Sequence, residues 1–87
     1  KTNSILDEAN RLFLQGKLKE AITYYDKILN DSPEHISSLN NKGYALSKLQ
    51  DFENAMKCYD SALGIYPDDL SVLVNKISFT LGANRSL

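Results

Sequence analysis

The chain has 87 residues, of which 43% are hydrophobic and 24% charged, and its formal net charge is −1. That length and composition suit one small globular domain. A charge so close to zero gives no field to gather nucleic acid or an anionic membrane surface, and no stretch approaches the roughly 18 uninterrupted apolar residues that span a bilayer.

Five segments follow in chain order, each with apolar residues at the three-and-four spacing of a helix rather than the alternation of a strand. The first, about 3–15, carries Ile5, Ala9 and Leu12 on one stripe and Leu6 and Phe13 on a second. Gly16 stands where a left-handed residue can close that helix. The second, about 18–30, carries Leu18, Ala21, Ile22, Tyr25, Ile28 and Leu29, and Pro33 interrupts it. The third, about 37–49, carries Leu39, Gly43, Leu46 and Leu49. The fourth, about 52–64, carries Phe52, Ala55, Met56, Tyr59, Ala62 and Leu63. Asp51 is its expected N-cap, Glu53 and Lys57 form a pair four apart, and Pro67 ends the run. The fifth, about 70–83, carries Leu70, Leu73, Val74, Ile77 and Leu81, and Asp68 and Asp69 stand at its start, where acids suit the helix dipole. Loops this short make successive helices antiparallel. Small residues at Ala9, Ala21, Gly43, Ala55 and Ala62 let their axes approach, with Tyr25 and Tyr59 filling the space beside them.

The segments are not independent. GKLKEAITYYDKILNDSP at 16–33 returns as QDFENAMKCYDSALGIYP at 50–67, a displacement of 34 residues. Ala21 recurs as Ala55, Tyr25 as Tyr59, Asp26 as Asp60, Leu29 as Leu63 and Pro33 as Pro67, while Leu12 recurs as Leu46 upstream. A fixed period of this size signals stacked supersecondary units. In the second unit Leu39, Gly43, Leu46, Phe52, Ala55, Tyr59, Ala62 and Pro67 together resemble the tetratricopeptide repeat signature. The first unit resembles it through Ile5, Ala9, Leu12, Leu18, Ala21, Tyr25, Ile28 and Pro33, with Ile28 in place of the usual alanine, and Glu8 in the first unit and Lys42 in the second stand in place of a common leucine. Ser71, Leu73, Asn75 and Lys76 echo Ser37, Leu39, Asn41 and Lys42, so the last segment resembles the first helix of a third unit.

The resemblance implies an all-α fold, a right-handed superhelical solenoid of antiparallel helix hairpins. It divides a single domain, 1–87, into a repeat at about 2–35, a second at about 36–69, and a partial third repeat or capping helix at 70–87. It implies a protein-interaction scaffold, with first helices lining a concave groove that receives an extended peptide, and it implies no enzymatic activity and no cofactor. One subclass clamps the carboxylate terminus of heat-shock chaperones with cations and asparagines. Here Asn10 and Asn41 occupy the asparagine places, while Leu6, Ser71 and Asn75 occupy the cationic ones. Tight binding of acidic tails is therefore not expected, because an anion needs charge-assisted partners.

Asp7, Asn41 and Asn75 recur at the repeat period on the expected groove side. A carboxamide both donates and accepts, so it can pair with any peptide backbone. The expected peptide-binding groove is Leu6, Asp7, Asn10, Phe13, Asn41, Tyr44, Val74 and Asn75. The plainer reading is that Asn41 and Asn75 bond to water or a neighbouring helix, that Leu6 and Phe13 pack internally, and that Asp7 pairs with Arg11.

The remaining chemistry is sparse. One histidine, His35, and one cysteine, Cys58, do not assemble a metal site of the usual ligands, and no Ser–His or Cys–His pair has a supporting motif. Cys58 reads as a packed small hydrophobe. A lone cysteine excludes an internal disulfide and fits a reducing, cytoplasmic setting. The N-terminal KTNSILDE is polar rather than a secretory signal, and the absence of an initial methionine leaves room for upstream sequence. The fifth helix is apolar on most sides, so the alternative function is self-assembly: association through Leu73, Ile77 and Phe79, exchange of that helix between copies, or continuation of the repeats beyond Leu87.

Overall fold

The computed structural model describes the backbone of residues 2–85 and the side chains of residues 4–82. It contains α1 (Thr2–Leu14), α2 (Leu18–Asp31), α3 (Ile36–Lys48), α4 (Phe52–Ile65) and α5 (Leu70–Arg85), with no strand among the described residues. Each lies within about two residues of the segment expected from apolar spacing.

The period is written into the turns. Gly16 closes α1 at φ 80°, and the amide of Lys17 donates back to the Leu12 carbonyl at 2.9 Å. Thirty-four residues later Gln50 does the same at φ 66°, with the Asp51 amide donating to the Leu46 carbonyl at 2.9 Å. Both are left-handed closures that satisfy a carbonyl the helix leaves open. Asp51 caps α4 by accepting from the Asn54 amide at 3.5 Å and the Asn54 side chain at 2.9 Å. His35 caps α3, its Nδ1 accepting from the Ser38 amide at 3.3 Å, and Asp69, one period on, accepts from the Val72 amide at 3.1 Å to cap α5. The Glu53–Lys57 pair is present at 4.0 Å.

Two helix hairpins, α1–α2 and α3–α4, stack through α2 against α3, and α5 then packs on both α3 and α4. The body measures 40 × 27 × 18 Å, an elongated stack. Ala9, Leu12, Ala21 and Tyr25 form the core of the first hairpin, with Leu6, Phe13 and Tyr24 against it. Leu39, Leu46, Ala55, Cys58, Tyr59, Ala62, Val72 and Phe79 form a larger second core. Two ion pairs repeat at the stacking joints: Lys42 Nζ meets Asp26 Oδ1 at 2.5 Å between α3 and α2, and Lys76 Nζ meets Asp60 Oδ1 at 2.8 Å between α5 and α4. Both are partly exposed, so each contributes at most ~1 kcal/mol.

The fifth helix corrects one expectation. Phe79 is only 9% exposed and packs on Phe52 and Tyr59, with ring centroids at 5.5 and 5.9 Å. Leu73 is half-buried, and Val72 is fully buried. Of the three expected residues only Ile77 is open, at 59% exposed, and it shares its stripe with Leu70, Val74 and Leu81, exposed by 76, 58 and 56%. A helix apolar on most sides does not reveal from spacing alone which face meets α3 and α4.

Candidate functional site

The antiparallel hairpins place α1, α3 and α5 side by side. Hydrogen bonds cross between them: Asn41 Nδ2 donates to Asn10 Oδ1 at 3.2 Å, joining α3 to α1, and Asn75 Nδ2 donates to Asn40 Oδ1 at 2.9 Å, joining α5 to α3. The Tyr25 hydroxyl, coming from α2, also donates to Asn10 Oδ1, at 2.6 Å. Asn10 is thus a structural acceptor for two donors. Burial raises the Tyr25 phenol above its ordinary pKa, and the Asn41 carboxamide opposes that shift.

Aromatic rings flank this line of carboxamides. Phe13 stands edge-on to Tyr25 at 6.5 Å and against Tyr44 at 5.5 Å. Lys48 Nζ lies 5.2 Å from the centroid of the Tyr44 ring, close enough for a cation–π attraction. Between α3 and α5 a cleft of about 180 Å³ opens, with walls that include Tyr44, Ser47, Phe52, Tyr59, Asn75 and Phe79. The Tyr59 hydroxyl is buried and has no hydrogen-bond partner among the described residues. Burial pushes this phenol up to about 12, with the Ser47 hydroxyl opposing.

The expected groove residues do not all fall together. Asn10, Asn41, Phe13 and Tyr44 come together, and Asn75 joins them through Asn40. Leu6 and Phe13 are half-buried and pack against the first core, so a share of their apolar surface is structural. Asp7 is exposed, and Arg11 bonds Glu8 rather than Asp7, its Nε donating to Glu8 Oε1 at 3.1 Å. Val74 is exposed beside a shallow hollow lined by Asn40, Leu70, Ser71 and Asn75.

Three contributors escaped the sequence reading. Asn40 has no recurrence, because its period mates are Leu6 and Val74. Ser47 and the Tyr59 hydroxyl gain their roles only from the α3–α5 joint. Asp26 recurs as Asp60 and Lys42 as Lys76 in the sequence, but only the structure joins them as pairs, because the partners lie on different helices.

The other reactive groups are accounted for by structure. Cys58 is buried in the second core, and burial pushes its thiol up, away from the reactive thiolate. His35 serves as a cap, its Nδ1 also 2.9 Å from Ser38 Oγ. No group of three His, Cys, Asp or Glu side chains that could hold a metal exists among the described residues. None of their helices is long and apolar enough to cross a membrane.

Comparison with known families agrees with the period. Residues 36–69 match a family model described as tetratricopeptide repeat, and residues 9–35 match a second model of the same description.

Proposed function

The chain belongs to the tetratricopeptide repeat family, whose repeats generally mediate protein–protein interaction, and on that premise we propose that its α1–α3–α5 face receives an extended segment of a partner protein. The observation that carries this reading is the line of carboxamides, Asn10, Asn41, Asn40 and Asn75, running across three helices between exposed aromatic and apolar side chains. Asn41 and Asn75 each donate one N–H in these bonds, and a carboxamide carries two N–H donors besides its acceptor oxygen. A peptide backbone laid across Asn41 and Asn75 can use that capacity whatever its sequence, while Phe13, Tyr44 and Val74 supply apolar contact. Neither a cofactor nor a catalytic step enters this reading, and the single buried thiol suits a cytoplasmic setting.

Peptides selected from a random display library against the chain provide the test. Asn41→Ala should weaken such a ligand by ~1–3 kcal/mol if it leaves buried peptide groups unpaired. Asn10 is kept out of this test because Tyr25 depends on it. Unchanged affinity for Asn41→Ala combined with Asn75→Ala would exclude the groove.

A second reading rests on the exposed stripe Leu70, Val74, Ile77 and Leu81: a second copy of the chain packs there. Val74→Lys with Ile77→Glu should then convert an associated form to monomer with helix content retained. A clean monomer of the parent chain at high micromolar concentration in sedimentation would remove this reading.

A further inference from the structure

The joint between α3 and α5 lies one 34-residue period after the joint between α1 and α3. In the earlier joint the Phe13 and Tyr44 rings meet with centroids 5.5 Å apart. Their period mates in the later one are Ser47 and Ser78, so both rings are replaced by small side chains. Leu18 and Ala45 give way in the same step to Phe52 and Phe79, which pack on each other at 5.5 Å. Those larger rings do not refill the place: a cleft of about 180 Å³ remains, and Ser47 and Ser78 both line it. The rings of Phe52, Tyr59 and Phe79 contribute its inner walls, while the exposed Tyr44, Lys48, Ser78 and Gly82 open it to solvent. Lys48 is the one charged side chain among its described wall residues.

We propose that this cleft takes an aromatic side chain from the bound partner segment, with a carboxylate next to it in that segment meeting Lys48. The proposal deepens the interaction reading given above and rests on it. The chain's own first joint shows the chemistry of the occupant, because there the matching place is filled by rings. The cleft is smaller than the roughly 300–1,000 Å³ of ordinary small-molecule sites, and an apolar protein cavity of about 150 Å³ accepts a benzene ring. Contact with the Tyr44 and Phe79 rings favours an aromatic occupant over an aliphatic one of similar volume. Lys48 sets the preference for charge. Its ammonium lies 5.2 Å from the Tyr44 ring centroid, and on an exposed side chain it keeps N–H donors for an anion. With no acid among the described wall residues, a carboxylate beside the ring meets attraction and a second cation meets repulsion.

The probe is a capped phenylalanyl-aspartate dipeptide, with capped phenylalanyl-asparagine and alanyl-aspartate for comparison, and the readouts are the Ser47 and Ser78 amide and Phe79 ring resonances. Phenylalanyl-aspartate should shift all of them saturably in the millimolar range. Alanyl-aspartate should bind at least tenfold more weakly, the difference made by one buried ring. Phenylalanyl-asparagine should bind about threefold more weakly, the size of an exposed ion pair, and Lys48→Met should remove that difference. Ser47→Phe with Ser78→Tyr carries the rings of the first joint into the second, so this variant should melt at or above the parent temperature and lose the response. Gly82→Leu narrows the same cleft from a position where an added Cβ meets nothing within 4 Å, and should weaken the response by about tenfold with the fold retained. Absence of shifts at tens of millimolar, equal binding of the phenylalanyl and alanyl forms, equal binding of the aspartate and asparagine forms, or a full response retained by Gly82→Leu would overturn the proposal. A library-selected peptide on the α1–α3–α5 face that binds parent and Gly82→Leu equally would leave the interaction reading standing and overturn this one.

Discussion

A Cβ placed on Gly43 would lie 2.8 Å from Cε1 and 3.0 Å from Cζ of Tyr59. The missing side chain on α3 is what allows the α4 tyrosine to lie flat between the two helices. Tyr59 is an aromatic ring locked in a core, not the end of a flexible chain, so it cannot move aside cheaply. Gly43→Ala should therefore destabilise by roughly 1–3 kcal/mol despite alanine's better helix propensity. Urea unfolding would measure it, and a midpoint at or above the parent's would show that the ring can give way.

In the first hairpin the same role falls to Ala9 and Tyr25, and there the hydroxyl is satisfied by Asn10. Asn10→Ala should leave the Tyr25 hydroxyl buried and unpaired, lowering stability by ~1–3 kcal/mol. Adding Tyr25→Phe should recover part of that loss, because both partners are then apolar. A double-mutant cycle on urea midpoints checks this, and purely additive effects would mean that the 2.6 Å bond contributes nothing.

The helices were legible because the residues that recur after 34 positions, Leu12 as Leu46, Ala21 as Ala55, Tyr25 as Tyr59 and Leu29 as Leu63, fall on the apolar three-and-four spacing. The site was legible only in part. Asn10 and Asn41 stood out as carboxamides, but a sequence does not distinguish an amide that meets a ligand from one that meets Tyr25. Phe79 was misplaced because α5 is apolar on most sides, and its burial is decided by where α3 and α4 lie. His35 was overlooked as a cap because histidine is not among the residues that usually cap helices.

Gln50 adopts φ 66° where its period mate is Gly16 at φ 80°. A left-handed conformation costs a side-chain-bearing residue roughly 1–2 kcal/mol, against about 0.5–1 kcal/mol for glycine's extra chain entropy. Gln50→Gly should therefore raise stability by ~0.5–1 kcal/mol, a few degrees in melting temperature for a domain of this size. A lower melting temperature would show that the Gln50 side chain stabilises the turn.

Alkaline pH should unfold the chain through Tyr59. Its phenol is raised in the folded state from 10.0 to about 12 by burial, so the unfolded chain loses this proton first. Stability is fully present below pH 10 and falls as the pH climbs towards 12, by about 1.4 kcal/mol per unit. Tyr25, raised in the same direction, adds to the loss. Tyr59→Phe should flatten the fall, and an identical alkaline transition in the two proteins would assign it to other groups.

The central claim is that partners are held on the face shared by α1, α3 and α5. Amide and side-chain chemical-shift mapping of the isotopically labelled chain with a library-selected extended peptide tests it most directly. The largest shifts are expected at Asn10, Phe13, Asn41, Tyr44 and Asn75, with α2 and the outward side of α4 nearly silent. Shifts centred instead on Thr23, Lys27, Lys57 and Ser61, which are among the exposed residues of α2 and α4, would contradict it.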